Sequence, residues 1–191
     1  MKIVDALVSI FWSGKNISVA SNYLNCGGEG IVYPAKVADL GKACVKSFNN
    51  FDENSRKEVE MLLGLKGKHL NFVEVFGTYI KYNREEGYVM ELLGGGTLAD
   101  AIKQENQYCY KPDQAYFWML QIVYGVAYLH MNNIVHLDLK PLKEGTYIYM
   151  APELFAEDDE LADTLDLRQC DIYSIGITFW EILYRQYAFI L

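Results

Sequence analysis

A cluster of glycines near the amino terminus has residue types and a spacing that suit phosphate binding. Gly27, Gly28 and Gly30 lie in the sequence LNCGGEGIVY, residues 24–33. The backbone N–H groups of such a segment can close over a phosphate because no side chain obstructs the approach. The same glycines also suit a plain hairpin turn. The cluster alone leaves both interpretations open, so the choice depends on what accompanies it.

Two further motifs lie almost next to each other in the second half of the chain. The first is HLDLKP at residues 136–141, in which His136, Asp138 and Lys140 occupy alternate positions. The second is GTYIYMAPE at residues 145–153. The residues between them are Leu142, Lys143 and Glu144.

The order of these motifs resembles that of the protein kinases. HLDLKP is similar to the catalytic loop of that family, and GTYIYMAPE is similar to the end of its activation segment. The resemblance covers about residues 24–187 and implies an α+β, two-lobed kinase-like fold. A small antiparallel β lobe with one helix would precede an incomplete, mostly helical lobe. The implied domains are an N-terminal extension (1–20), a first lobe (21–93) and a truncated second lobe (94–191).

The resemblance implies a set of nucleotide-binding residues in the first lobe. Lys46, in the segment ACVK, is similar to the lysine that pairs with the phosphates. Its expected partner is Glu58, with Glu60 as the alternative because the helix register is uncertain by two residues. Met90 would be the gatekeeper, followed by Glu91 at the hinge. The full set of implied nucleotide-binding residues is Gly27, Gly28, Gly30, Val32, Lys46, Glu58, Met90 and Glu91.

Two residues of the glycine cluster depart from the family pattern. Asn25 stands where the first glycine is expected, although Asn tolerates left-handed backbone angles better than most residues. Glu29 replaces the usual aromatic residue at the tip of the loop. A carboxylate at that position is expected to face the phosphates and repel them.

In the second lobe the resemblance assigns catalytic roles to two residues. Asp138 would accept the proton of the substrate hydroxyl, and Lys140 would neutralise charge on the transferred phosphoryl group. Lys140 also favours a Ser/Thr kinase over a Tyr kinase. Leu137 stands where many kinases have an Arg that binds a phosphorylated activation loop, so ordering by phosphorylation is not expected. Structural roles are implied for His136, Thr146, Glu153 and Asp171.

Two of these structural residues carry specific expectations. Asp171, in the sequence CDIYSIGI, is expected to hold the backbone of the catalytic loop. Glu153 would pair in the family with an Arg from helices that this sequence lacks. Its charge is therefore expected to be left to solvent or to local partners.

The interval between HLDLKP and GTYIYMAPE lacks several parts that kinases have there. The family carries a metal-binding Asn, two short strands, an Asp-Phe-Gly motif and the activation loop in this interval. Lys143 falls at the position of the Asn, where a cation would oppose Mg²⁺. The implied cofactor is ATP with Mg²⁺, but no metal-ligating residue can be assigned. If the chain is a non-catalytic kinase relative, weak, metal-independent nucleotide binding or none is expected.

Three interpretations of this missing interval remain open. The chain can be a non-catalytic kinase relative that acts through protein contacts, for example by inhibiting a related kinase. It can instead derive from an active kinase by exon skipping or a faulty gene prediction. Finally, it can be a marginally stable product that exposes the apolar residues 182–191.

The motifs are similar to those of the Mos kinases and of other kinases acting on MAP kinase kinases, which implies a protein substrate or a partner kinase.

The elements that would position these residues can be predicted from periodicity. Strands are predicted at residues 30–33, 43–48, 72–76 and 88–90, and a helix over residues 53–65. A second helix is expected from Pro112 to near His130. Residues 172–183 are apolar on nearly every face, which predicts a helix buried in the middle of a lobe. The three glycines at 94–96 fit a flexible connection.

Composition limits the partners and the location of the protein. The chain has 191 residues, of which 51% are hydrophobic and 22% charged, as in ordinary globular proteins. Its net charge of −8 argues against binding to nucleic acids or anionic membranes. The scattered cysteines suggest free thiols rather than a zinc or redox site. Residues 4–12 are too short to span a bilayer, so a cytoplasmic protein is expected. The acidic residues 157–160 are expected to form a solvated loop rather than a docking patch.

Overall fold

Short β-branched and aromatic runs, separated by turns, build a sheet in the first half of the chain. The computed structural model describes residues 11–12, 16–65, 67–103, 110–141, 146–155, 165–186 and 188. The chain divides into two units, Met1–Gly94 and Gly95–Leu191. Within the described residues, the strands of the first unit are β1 (Phe11–Trp12), β2 (Ile17–Val19), β3 (Asn25–Cys26), β4 (Gly30–Val37), β5 (Gly41–Phe48), β6 (Val75–Lys81) and β7 (Arg84–Glu91).

The sheet has the order β1-β6-β7-β5-β4-β2, and β3 also pairs with β4. All pairs are antiparallel except the short parallel pair of β1 with β6. The β4–β5 hairpin sets Val32 opposite Lys46 and Gly30 opposite Phe48. This register places the loop that precedes Gly30 beside the strand that carries Lys46.

Close backbone approach requires glycine at one position beside Lys46. A Cβ atom added to Gly87 on β7 would lie 1.8 Å from the Lys46 carbonyl oxygen. No side chain can be accommodated at that distance, so only glycine lets β7 pair with β5 here. Gly87 therefore helps to fix where the Lys46 backbone lies.

Helix α1 (Glu53–Leu65) follows β5 and has the bounds that the sequence predicts. It begins where the Asp52 carboxylate accepts a hydrogen bond from the Ser55 N–H at 3.0 Å. That hydrogen bond lowers the pKa of Asp52. Val59 on the inner face of α1 packs with Val75 and Tyr88 of the sheet. The residues buried together elsewhere in the sheet are Ile17, Ala35, Val37, Ala43, Val45, Tyr79 and Val89.

The strand predicted at residues 72–76 is displaced in the structure. β6 begins only at Val75 and continues to Lys81. The preceding residues form a turn, in which the Phe72 N–H donates to the His69 carbonyl and the two rings lie 5.2 Å apart. The aromatic side chain of Phe72 packs within this turn. An apolar residue at position 72 was therefore not evidence that the strand begins there.

Helices dominate the described part of the second unit. Its helices are α2 (Leu98–Lys103), α3 (Pro112–Met131) and α4 (Arg168–Tyr184), with 3-10 turns at Thr146–Tyr149 and Pro152–Phe155. One residue from each helix forms the centre of the core, namely Ile102, Ala115 and Ile182. Leu98, Trp118 and Phe179 pack around them. The helix predicted to begin at Pro112 is thus present and runs one residue past His130.

The expectation that residues 172–183 form a helix buried on every side is wrong. The inner face of α4 repeats at helical spacing and consists of Asp171, Ser174, Ile175, Thr178, Glu181 and Ile182. Ile172 and Leu183, on other faces, are 59% and 57% exposed. The physical reason is that α4 packs against α3 and the first 3-10 turn along one face. Other apolar side chains of α4 remain in contact with solvent.

The predicted fold class is confirmed as α+β, with a mainly antiparallel sheet in the first unit and helices in the second. In the described residues, no helix has the length and apolar character needed to cross a bilayer. Cys26, Cys44 and Cys170 are free thiols, and Cys109 lies outside the described residues. The acidic residues 157–160 also lie outside the described part of the chain.

Candidate functional site

Lys46 lies at the centre of a charged cluster in the first unit. Its Nζ atom on β5 is 2.8 Å from Oε1 of Glu58 on α1. The two side chains are 17% and 30% exposed, so the pair is largely shielded from solvent. Glu60, the alternative partner, is exposed on α1. The structure therefore joins Lys46 to Glu58 and not to Glu60.

Aromatic side chains surround this ion pair. Lys46 Nζ lies 4.8 Å from the ring centroid of Phe48 and 5.7 Å from that of Tyr88, within the range of cation–π attraction. The Tyr88 hydroxyl donates a hydrogen bond to Glu58 Oε1 at 3.3 Å. Burial raises the pKa of Tyr88 well above its ordinary value, and the Glu58 carboxylate raises it further. Tyr88 thus stays protonated and helps to orient Glu58.

The glycine cluster forms a loop that is folded down beside Lys46. The Asn49 side chain donates hydrogen bonds to the Gly28 carbonyl at 2.8 Å and to the Gly27 carbonyl at 3.4 Å. The Asn49 N–H donates to the Glu29 carbonyl at 3.0 Å. The Glu29 carboxylate lies 3.3 Å from Lys46 Nζ. Neither Asn49 nor the Glu29–Lys46 contact was predicted, because both depend on how the hairpin folds back.

The remaining nucleotide-binding candidates lie on neighbouring strands. Val32 on β4 faces Lys46 in register, and Met90 on β7 packs in the cluster formed with α1. The Glu91 carboxylate accepts a hydrogen bond from the Glu74 N–H at 2.8 Å. Glu91, at the end of β7, therefore holds the residue that precedes β6 in place. This contact is a structural role for Glu91 within the first unit.

In the second unit, Asp138 and Lys140 contact each other directly. Lys140 Nζ lies 2.6 Å from Asp138 Oδ1. The Asp138 side chain is 52% exposed, whereas that of Lys140 is only 17% exposed. The Asp138 N–H donates to His136 Nδ1 at 3.2 Å, so the imidazole supports the backbone on which the carboxylate stands. The arrangement offers an accessible carboxylate with a cation beside it.

The carboxylate of Asp171 holds the backbone of this loop. Asp171 is fully buried on the first turn of α4 and accepts the N–H groups of His136 at 2.9 Å and Leu137 at 2.8 Å. His130 Nε2 lies 2.8 Å from the same carboxylate. These hydrogen bonds satisfy an ionisable group that would otherwise be costly to bury.

Two other residues with predicted structural roles, Thr146 and Glu153, lie in the 3-10 turns that precede α4 in the chain. Glu153, in the second 3-10 turn, accepts a hydrogen bond from the Cys170 thiol at 3.8 Å, which gives it a local partner. Burial raises the pKa of Cys170, and the nearby Glu153 carboxylate adds to the shift. Thr146 begins the first 3-10 turn, but its side chain lies outside the described residues, as does Lys143.

A buried acidic group on α4 was missed by the sequence reasoning. Both oxygens of the Glu181 carboxylate accept the Tyr149 hydroxyl, at 3.0 and 2.9 Å, and the Ala188 N–H donates to it at 2.8 Å. Burial raises the pKa of Glu181 above its ordinary value, partly offset by these hydrogen bonds. The available signal was a charged residue within the mostly apolar residues 175–183, because such a residue needs a polar partner inside the core.

The described residues offer no preformed cluster of side chains for a metal ion. No three or more His, Cys, Asp or Glu side chains in the described part of the chain are grouped so that they could hold a metal ion. The sequence contains no Asp-Phe-Gly. Lys46 and the backbone of the glycine loop are groups that can bind the phosphates of a nucleotide. The Glu29 carboxylate beside them is negatively charged and would repel those phosphates.

Comparison with known proteins gives a consistent set of relatives. Residues 21–143 match the protein kinase domain. The mitogen-activated protein kinase kinase kinase mom-4 of Caenorhabditis elegans is 26% identical over 88% of this chain and 37% of its own length. The putative mitogen-activated protein kinase kinase kinase 7-like of Drosophila melanogaster is 28% identical over 89% of the chain and 49% of its own length.

A third relative is the probable serine/threonine-protein kinase zyg-1 of Caenorhabditis briggsae. It is 32% identical over 90% of this chain and 28% of its own length. The chain thus spans no more than about half the length of these curated relatives.

Proposed function

The chain belongs to the protein kinase family, and from that premise we propose that it is a Ser/Thr-type kinase domain with impaired phosphoryl transfer. The relatives are named as MAP kinase kinase kinases and as a serine/threonine kinase, which supports the Ser/Thr type and a place in protein signalling. The observation that carries the proposal is a contrast between two parts of the site. The catalytic loop is held in shape by Asp171, while the metal-binding motifs that should follow it are missing from the sequence.

The residues present are suited to only part of the kinase reaction. ATP, when bound with Mg²⁺, supplies the phosphoryl group and the charge neutralisation that its transfer requires. Asp138 is accessible and can accept the proton of a hydroxyl group, and Lys140 beside it can neutralise negative charge. Lys46 can bind phosphate oxygens. Without acidic and amide ligands to hold the metal, these groups alone leave most of the triphosphate charge uncompensated.

An alternative function is that of a non-catalytic regulator that binds another kinase. The exposed apolar side chains of α4 favour this alternative, because a non-polar helix face in water is a common feature of protein contact sites. Trp180 and Tyr184 stack at 4.9 Å on that helix, and Ile172 and Leu183 are also exposed. We place either form of the protein in the cytoplasm, where the free thiols of the described residues would remain reduced.

A phosphate-transfer assay tests the impairment. The purified chain is incubated with radiolabelled ATP, Mg²⁺ or Mn²⁺ and a generic protein substrate, beside the Asp138→Asn variant. The two proteins are expected to incorporate the same background amount of phosphate. Transfer by the wild type that is lost in Asp138→Asn would show that the chain is an active kinase. A metal-titrated ATP binding measurement completes the test, and its expected result is an affinity that does not depend on Mg²⁺.

A further inference from the structure

The contact between Glu29 and Lys46 places a carboxylate where a phosphate group would be recognised. Lys46 Nζ is shared by two carboxylates, Glu58 at 2.8 Å and Glu29 at 3.3 Å. Glu58 lies on α1 and is 30% exposed, whereas the Glu29 side chain is 78% exposed at the tip of the glycine loop. Glu29 is therefore the carboxylate that an incoming anion can displace.

The backbone of the loop that carries Glu29 is held in place by hydrogen bonds, most of them from Asn49. Asn49 lies three residues after Lys46 and binds the carbonyl groups of Gly27, Gly28 and Glu29. The Gly27 N–H also donates to the Gly30 carbonyl at 2.8 Å. These hydrogen bonds fold the tip onto the end of β5, so the Glu29 side chain needs little additional ordering to reach Lys46. A preorganised contact loses less conformational entropy than one made by a free side chain.

The charges around the loop also oppose a polyphosphate. A cavity of about 290 Å³ lies beside the loop, with Glu29, Asp52 and Glu58 among its lining residues. Asp52 and Glu58 have other partners in Ser55 and Lys46, but they keep the cavity negative on one side. A ligand with several negative charges would be repelled by these carboxylates as it approached the loop from this cavity.

We propose that Glu29 acts as a built-in competitor for phosphate groups at Lys46, so that the site selects against highly charged nucleotides. This inference rests on the proposed nucleotide-binding role of the first unit and adds the residue that sets its selectivity. Ligands with few or no phosphates avoid the competition, whereas a triphosphate must first displace the Glu29 carboxylate.

Binding measurements on the full chain test the selectivity. The probes are ATP, adenosine and inorganic tripolyphosphate, each titrated without metal against wild type, Glu29→Gln and Asp39→Asn. Asp39 is exposed in the turn at the opposite end of the β4–β5 hairpin and controls for the loss of one negative charge. Glu29→Gln is expected to tighten the binding of ATP and tripolyphosphate roughly three- to tenfold, because it removes an exposed carboxylate that both competes for Lys46 and repels phosphate groups. The binding of adenosine should be unchanged. An equal effect on adenosine and ATP, or no effect on either polyphosphate, would overturn the inference.

Zero-length cross-linking gives a readout that does not depend on nucleotide binding. A carbodiimide activates a carboxylate, and a neighbouring amine displaces the urea to form an amide bond. We expect a Glu29–Lys46 cross-link in the digested wild type, and we expect excess tripolyphosphate to suppress it. The Lys81–Glu86 pair, 3.9 Å apart on the β6–β7 hairpin, is the internal control whose cross-link should persist. Absence of the Glu29–Lys46 product, or its persistence at saturating tripolyphosphate, contradicts the inference.

The two sets of measurements separate this inference from the proposed function. If adenosine and ATP bind to none of the three proteins, the nucleotide-binding role fails. Tripolyphosphate binding and the cross-link then still decide whether Glu29 competes for anions at Lys46, because neither needs an adenine site.

Discussion

The Asp171 carboxylate accepts the backbone N–H of Leu137 at 2.8 Å, and Leu137 has a φ of 61°. A residue with a Cβ atom adopts this left-handed conformation at a cost of about 1 kcal/mol or more. The hydrogen bonds that the His136 and Leu137 N–H groups donate to Asp171 offset that strain. The loop that carries Asp138 is therefore shaped by a carboxylate on α4 and not by its own sequence alone.

Replacing Asp171 by Asn is expected to destabilise the second unit. The Asn side chain keeps one acceptor oxygen, but its NH₂ group replaces the other oxygen and would face a backbone N–H donor of His136 or Leu137. The site is fully buried, so water cannot relieve this mismatch. We expect a loss of roughly 2–4 kcal/mol in the free energy of unfolding, as for other buried charged hydrogen-bond partners. Urea denaturation measures it. Asp166→Asn is the control: Asp166 is exposed and pairs with Arg168, so its midpoint should remain close to that of the wild type.

Gly87→Ala is expected to disrupt the sheet next to Lys46. The new methyl group would lie 1.8 Å from the Lys46 carbonyl oxygen, so β7 and β5 must separate. The expected loss is more than about 2 kcal/mol, since neither backbone can shift cheaply in a buried sheet. Thermal unfolding followed by circular dichroism measures this loss. Gly64→Ala in α1 is the matched control, because nothing lies within 4 Å of its Cβ position and Ala should add about 0.5–1 kcal/mol of helix stability. Equal stability of the two variants would contradict the proposed steric cause.

Thr97→Ala is expected to weaken the start of α2. The Thr97 hydroxyl accepts the Asp100 N–H at 3.1 Å, and the Asp100 carboxylate accepts the Thr97 N–H at 2.8 Å. This reciprocal arrangement is a helix cap, and the hydrogen bonds from Thr97 lower the pKa of Asp100. Loss of the hydroxyl should cost about 1 kcal/mol at neutral pH. Amide hydrogen exchange in α2 measures the change, and Thr97→Ser, which keeps the hydroxyl, should exchange like the wild type.

The raised pKa of Glu181 predicts that stability falls as pH rises above about 4.5. The folded chain holds a proton on Glu181 at pH values where the unfolded chain has released it, so raising the pH favours the unfolded state until the folded pKa is passed. The acids with lowered pKa, Asp52, Asp100 and Asp166, have the opposite sign, but their effect is complete above about pH 5. Urea denaturation between pH 5 and 8 measures the slope, which Glu181→Gln should lack.

The same slope in both proteins would show that Glu181 does not cause it. If Glu181→Gln does not fold, the titration of the Glu181 carboxyl carbon by NMR in the wild type replaces the comparison. A midpoint at or below the ordinary value would then contradict the prediction.

The spacing of apolar residues along the sequence predicted those elements that bury one regular face. Helix α1 was predicted with its observed bounds because its apolar residues recur at helical spacing. The strand predicted at 72–76 was wrong in its first residues, since an apolar side chain such as Phe72 packs a turn as readily as a strand. For the helix at 172–183, composition alone did not show how many of its faces would be covered.

The order of the motifs predicted some contacts of the candidate site and missed others. Lys46 contacts Glu58 because the two motifs lie on a strand and a helix that pack together. The Glu29–Lys46 contact needed the three-dimensional position of Asn49, which no motif indicates. The hydrogen bond of Tyr149 to Glu181 likewise joins residues 32 positions apart and could not be assigned from local patterns.

The dependence of Leu137 on Asp171 has a consequence for the order of events in folding. A nascent chain that has not yet reached residue 168 already contains every residue of HLDLKP but lacks the acceptor that stabilises its left-handed turn. Closing a loop of 34 residues carries an entropic penalty that the packing of α4 against α3 and the first 3-10 turn can offset. The loop is therefore expected to acquire its shape late, together with the helical core. A peptide that ends before α4 should leave this segment without a fixed conformation.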